Sequence, residues 1–152
     1  MSKSFGTKQR RPMPRKMSEK EALRYIDSNP GWATLSTLGA DGHPHSIPIG
    51  YFRVENKLYM GCRDKTQKVI NIERNPKISV SLESGQTMND IRGLLLRGHG
   101  RIIRESAERL SISIMAAKSR GVEDKDLPKS SSPEGVYIEL SDFKITSWDY
   151  SS

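Results

Sequence analysis

LYMGCRDKTQKVINIERNP, residues 58–76, decides how the rest of this chain is read. It opens with alternation: Leu58, Met60 and Cys62 fall on one face of a strand, Tyr59 and Gly61 on the other. It then turns polar and basic at Arg63-Asp64-Lys65-Thr66-Gln67-Lys68. It closes as a short helix carrying Val69, Ile70 and Ile72, stopped by Asn75-Pro76 because the residue before proline avoids the helical region. A strand that enters a helix through a basic, hydroxyl-bearing turn suits a phosphate. The first N–H groups of a helix have no partners within it, and its dipole favours an anion there. Lys68, Arg63 and Thr66 complete the shell. The competing reading is a solvated, charged turn capped by Asp64 or Thr66.

Working outward, the 152 residues suffice for one domain with a real core. No apolar run is long enough to cross a membrane and no secretory signal pattern is present, so the chain is expected to be soluble and cytoplasmic. Cys62 is the only cysteine, which excludes an internal disulfide and suits a small buried residue. The net charge of +7 invites a nucleic-acid reading, but its placement argues against one. Residues 1–16 hold Lys3, Lys8, Arg10, Arg11, Arg15 and Lys16 and no acid, which leaves the remainder nearly neutral. The expected organisation is a basic tail over 1–16, disordered or draped over a partner subunit, and one domain over 17–152. No RNA- or DNA-binding motif accompanies the tail.

Ser18-Glu19-Lys20-Glu21 is a capping box opening a helix with Ala22, Leu23 and Ile26 on one stripe, ending near Asn29-Pro30. Trp32 to Leu38 reads as a strand and Gly39-Ala40-Asp41-Gly42 as a hairpin turn. The return strand, His45 to Val54, carries His45, Ile47, Ile49 and Tyr51 on one face. Pro48 marks an edge, bulge or opening in it. Ile78, Val80 and Leu82 alternate with serines, and Arg92 to Arg104 is a long strand whose Gly93, Gly98 and Gly100 imply bends or close approach. Ala107, Leu110, Ile114 and Ala117 have helical spacing, with Glu105 and Glu108 near the start. Gly121 to Pro133 is a charged loop. Val136 to Leu140 and Phe143 to Trp148 read as two last strands. About seven strands in hairpins with three short helices predict an antiparallel sheet that closes to remove its edges, a small β-barrel with flanking helices.

Three segments together resemble the pyridoxamine-phosphate-oxidase-like split-barrel family of flavin and deazaflavin proteins: ATLSTLGADGHPHSIPIGY (33–51), the 58–76 stretch with Thr66-Gln67-Lys68 before Asn71 and Asn75-Pro76, and IRGLLLRGHGRI (91–102). Ser147-Trp148-Asp149 in the closing strand adds to the likeness. The resemblance implies a mainly β fold, a split antiparallel β-barrel of the FMN-binding type. It also implies a homodimer with a cofactor at the subunit interface. The cofactor phosphate would meet Arg63, Thr66, Gln67 and Lys68. The ring would lie along His45, Ser46, Ile47, Pro48 and Ile49 with Gly61 and Cys62 beside it, and Arg92 or its neighbours would come from the other subunit. FMN is the expected cofactor and the deazaflavin coenzyme F420 the alternative. The chain is shorter than true pyridoxamine phosphate oxidases and lacks their basic substrate-phosphate residues near the C-terminus, so a different small-molecule substrate is expected. In such a protein the cofactor carries the hydride chemistry and the protein supplies orientation and electrostatics. Pro48 would free neighbouring strand groups to face the ring.

The same sequence holds the elements of other chemistries. His43, His45 and His99 are the components of a three-histidine metal site, without a nearby carboxylate base. Haem would take His45 or His99 as ligand. Ser46 and Cys62 lack the strand-turn-helix elbow of a nucleophile. A non-catalytic flavin- or haem-binding dimer is the second functional class. A tail-mediated nucleic-acid binder is the third.

Overall fold

The computed structural model describes residues 13–28 and 32–151. Among the described residues three α-helices, α1 (Glu19–Ser28), α2 (Gln67–Arg74) and α3 (Ser106–Ser119), and one 3-10 turn (Asp124–Asp126) accompany seven strands. These are β1 (Ala33–Leu38), β2 (Pro44–Ile49), β3 (Phe52–Val54), β4 (Lys57–Arg63), β5 (Lys77–Ser84), β6 (Arg92–Ile103) and β7 (Gly135–Asp149). They form one antiparallel sheet in the order β2-β1-β5-β6-β7-β4-β3. Ile49 at one side of that order and Leu58 and Met60 near the other lie in a single buried cluster with Leu35, Val80, Leu96 and Ile138. Strands so far apart meet only if the sheet curls, and the result is a mainly β, split antiparallel barrel with flanking helices. The split runs between the edge strands β2 and β3.

The strand count holds for a reason the pattern did not show. His45 to Val54 is not one strand: it breaks at Gly50-Tyr51 into β2 and β3, which go to opposite edges of the sheet. The Tyr51 hydroxyl donates to the Ile26 carbonyl at 2.7 Å and holds the break against α1. The two expected final strands are instead one, β7, bent where Asp142 takes a φ of 52° and the pairing with β6 shifts between Arg97 and His99. That bulge lets one long strand serve both walls of the barrel. Gly93 is the close approach expected of it, since a Cβ there would meet the Leu82 carbonyl and the Trp148 ring at 2.6 Å.

α1 closes one end of the barrel. Ile26 enters the core, and the Tyr25 hydroxyl donates to Ser84 Oγ at 2.8 Å and the Arg92 carbonyl at 3.2 Å. The capping box forms as read: Glu21 N–H donates to Ser18 Oγ and Ser18 N–H to Glu21 Oε1. The expected helix end at Asn29-Pro30 and tail residues 1–12 lie outside the described residues. Arg15, which the sequence reading placed in the tail, is docked: it exchanges backbone bonds with Asp149 and its guanidinium spans Glu21 and Asp149. Arg15 first, then the Ser18 N–H, hold Glu21 down to about 2 from an ordinary 4.5. The unfolded chain therefore takes up that proton first as pH falls. The contribution of Glu21 is intact above about pH 4.5 and lost by about pH 2. Thermal unfolding followed against pH is expected to show a shallower acid limb in Glu21→Gln; an unchanged limb would refute the linkage.

α2 closes the opposite end, with Ile72 packed near Ile78 and Gly100. α3 lies outside the barrel. The face expected to be buried (Ala107, Leu110, Ile114, Ala117) is not the one used, apart from Ala117; Arg109, Ile112 and Ala116 turn inward. Ile112 meets Tyr59 and Ile103 in a second cluster, worth about 1.5–3 kcal/mol for its burial. Among the described residues no helix is long and apolar enough to cross a membrane.

Candidate functional site

The residues expected to meet a cofactor come from two elements: the β2 edge and the turn from β4 into α2. Arg92 is the exception. It lies at the far end of β6, about 35 Å of strand path from the Arg104 end. There its Nε is 3.4 Å from Asp149 Oδ2 and its guanidinium lies over the Tyr25 ring at 5.0 Å.

The turn is built without capping its helix. Thr66 is the N-cap of α2 but makes no side-chain capping bond; its hydroxyl donates to the Arg63 carbonyl at 3.0 Å. Asp64 does not cap either. Its carboxylate accepts from Lys65 N–H and from both arms of Arg104 at 2.9 Å, and Arg104 holds it below the usual carboxylate range. Arg104 also reaches Glu73 on α2, so one arginine pins the turn to the helix it feeds. Lys65 accepts a φ of 63° to make the bend. The capped-turn reading therefore fails. The start of α2 is left to backbone N–H groups, Lys68 and the more exposed Arg63, which pairs with Glu134 at 3.3 Å. Cys62 packs against the core beside Lys68 and Thr66. Burial pushes its thiol up despite the Lys68 charge, which keeps it protonated and unreactive.

β2 is the edge strand beside β1. The Gly39 N–H donates to the His43 carbonyl at 2.8 Å. Antiparallel alternation then makes Thr37–His45, Leu35–Ile47 and Ala33–Ile49 the hydrogen-bonded pairs. Pro44, Ser46 and Pro48 take the outward positions. Of the three readings of Pro48 (edge, bulge or opening), the edge is the one found: β2 ends the sheet order, and the missing N–H faces away from β1 without opening the ladder. The outward edge from 44 to 48 offers one amide donor, Ser46, flanked by carbonyls. Side chains follow the same alternation: His45, Ile47 and Ile49 face inward, Ser46 and Pro48 outward. Ser46 Oγ lies 2.8 Å from Ser36 Oγ.

A polar relay joins the two elements. Gln67 Nε2 donates to Asn71 Oδ1 at 2.8 Å, and Asn71 Nδ2 donates to Thr37 Oγ1 at 3.0 Å. Thr37 is the register partner of His45. Arg74 adds bonds to Asn71 Oδ1 and the Leu38 carbonyl. Asn71 and Thr37 are buried. His45 Nδ1 is buried without a hydrogen-bond partner among the described residues. Sequence reasoning missed Asn71, Thr37 and Arg104 as parts of this site. Asn71 had a signal, a polar residue among the buried positions of a short helix. Arg104 had none, being 40 residues from Asp64. Gly61 faces Tyr137 on the α3 side of β4, where a Cβ would come within 3.2 Å of the ring. The three histidines do not converge. His43 is an exposed turn residue bonded to Asp41, and no group of three metal-ligating side chains exists among the described residues.

The donor set fits a phosphate-bearing ring cofactor. It combines an uncapped helix start with a lysine, an edge with one outward amide and, on that edge, an imidazole nitrogen without a hydrogen-bond partner among the described residues.

Comparison with known proteins agrees with this architecture. A conserved hypothetical protein of Mycobacterium tuberculosis shares the fold at a TM-score of 0.70 and 26% identity, covering 95% of this chain and 91% of that one. An FAD-binding protein from Mesorhizobium loti shares it at a TM-score of 0.67 and 16% identity, covering 88% and 95%. A structure described as an F420 reductase gives 0.59 and 18%, covering 80% and 94%. No curated protein sequence matches the chain significantly. The family model described as pyridoxamine 5'-phosphate oxidase matches residues 19–140. That match runs through all three helices, six strands and the start of the seventh, and on it this chain belongs to the pyridoxamine 5'-phosphate oxidase family.

Proposed function

We propose that this chain is an FMN-dependent oxidoreductase of the cytoplasm, acting as a homodimer on a small molecule. The observation that carries the reading is the relay from Gln67 through Asn71 to Thr37 opposite His45. It fixes an anion-receptive helix start relative to an edge strand with a free amide. Lys68, Arg63 and the first N–H groups of α2 would take the cofactor phosphate, with Thr66 and Gln67 shaping the turn. His45, Ser46, Ile47, Pro48 and Ile49 would lie along the ring, with Gly61 and Cys62 beside it. FMN would supply the hydride-accepting ring. The Ser46 N–H, which no strand neighbour uses, would donate to it and favour its reduced, anionic form. Arg92 is too far along β6 to reach the turn of its own chain, which supports its service to a second copy.

The deazaflavin coenzyme is the second reading. A groove of about 870 Å³ beside the β1–β2 hairpin, lined by Pro44, Lys77, Arg97, His99 and Lys144, gives room for its longer tail.

The test is the visible absorption spectrum of purified protein, alone and after adding FMN or F420. A two-banded yellow spectrum or tight uptake of FMN is expected. Uptake of F420 alone would select the second reading, a sharp haem band would bring His45 and His99 forward, and no uptake would refute the proposal. Reduction by a nicotinamide donor and substrate-dependent reoxidation would separate an enzyme from a non-catalytic flavin-binding dimer.

A further inference from the structure

We infer that a second anion site, sized for one phosphate or sulfate group, lies between α3 and β4 around Arg109. It stands whether or not the Thr66–Lys68 turn holds a cofactor. Arg109 is only 8% exposed. Its Nε donates to the Arg104 carbonyl at 2.9 Å and its Nη1 to the Ser132 carbonyl. Both partners are neutral, and Arg109 forms no ion pair among the described residues. The acids of its neighbourhood are engaged elsewhere. Glu105 accepts from the Ala107 and Glu108 N–H groups, Glu108 pairs with Arg101, and Glu134 pairs with Arg63. A buried guanidinium without a counter-charge is costly, and a bound anion removes that cost.

The space for that anion is present. A cavity of about 160 Å³ is lined by Gly61, Cys62, Arg109, Ser113, Ser131 and Ser132. Its hydroxyls are placed to donate. Ser132 Oγ accepts from Glu134 N–H at 3.4 Å, which leaves its own hydrogen free. Ser113 Oγ and the Tyr137 hydroxyl share one hydrogen at 2.8 Å, which leaves the other. A guanidinium with two such donors is the chemistry that recognises an oxyanion. The cavity is too small for a flavin. The occupant is a free oxyanion or the end group of a longer molecule.

Thermal unfolding of the FMN-loaded protein would be followed in sodium phosphate and in sodium chloride of equal ionic strength. A saturable, phosphate-specific rise of a few degrees in Tm is expected. Arg109→Gln should abolish it and Lys68→Ala should keep it. If Arg109→Gln does not fold, Gly135→Ala decides. Its added carbon would lie 3.8 Å from Arg109 Nη1 and 3.7 Å from Ser132 Cβ, ordinary contacts that narrow the cavity without strain, and it too should lose the response. No specific rise in the wild type with either inorganic phosphate or glycerol phosphate would overturn the site. So would a rise that survives both Arg109→Gln and Gly135→Ala, or one that vanishes in Lys68→Ala. If FMN does not load, the same titration on Lys68→Ala protein reads the Arg109 site alone. Glycerol phosphate in place of inorganic phosphate separates the two occupants, and an Arg109-dependent response to either supports the site.

Discussion

Lys68→Ala is expected to weaken FMN binding by about ten- to a hundred-fold. A charge-assisted hydrogen bond to phosphate is worth about 1.5–3 kcal/mol, and each 1.4 kcal/mol is a factor of about ten in affinity. Lys68 has no ion pair among the described residues, so its charge is not spent on the fold. Arg63 is weakened as a substitute by its exposure and its pairing with Glu134. Removing Lys68 should therefore cost affinity with little loss of stability. Quenching of flavin fluorescence on titration gives the Kd. Lys68→Arg should retain most of the affinity, and raised salt should narrow the gap between wild type and Lys68→Ala. An unchanged Kd in Lys68→Ala would remove the phosphate from this turn.

Asn71→Leu is expected to cost about 2–3 kcal/mol of stability and to lower FMN affinity with it. Leucine matches the volume but makes none of the bonds. Thr37 Oγ1 loses its donor at a site from which water is excluded, and the exposed Gln67 and Arg74 lose their acceptor. Adding Thr37→Val removes one stranded group. The double variant should then be less destabilised than the sum of the two singles. Urea unfolding measures both terms. Additive losses would show that the two side chains are not coupled, and unchanged FMN affinity would show that the relay does not position the turn.

The strand-turn-helix of residues 58–76 was legible because alternation, a basic turn and a terminating Asn-Pro agree with one another. The capping box of α1 was legible for the same reason: it is a local device whose partners are three residues apart. What sequence could not show is what depends on the curl of the sheet. The break at Gly50-Tyr51 is set by Tyr51 reaching Ile26, 25 residues away. The fusion of the last two strands is set by pairing with β6. The face that α3 buries is set by Tyr59 and Ile103, to which its own periodicity is blind. The site divides the same way. Arg63, Thr66 and Lys68 were proposed from their neighbours and Gln67 from the family resemblance, while Thr37 and Arg104 enter only because β1 and the end of β6 are folded against α2.

The two prolines of β2 have a consequence beyond any ligand. An exposed sheet margin normally invites other chains to add strands to it, the first step towards fibres. Between residues 44 and 48 this margin carries carbonyls but a single amide hydrogen. An incoming strand finds almost nothing to accept from, so one side of the barrel is closed to runaway strand addition. The strand that would hold the ring can stay open to small molecules while remaining shut to polypeptides.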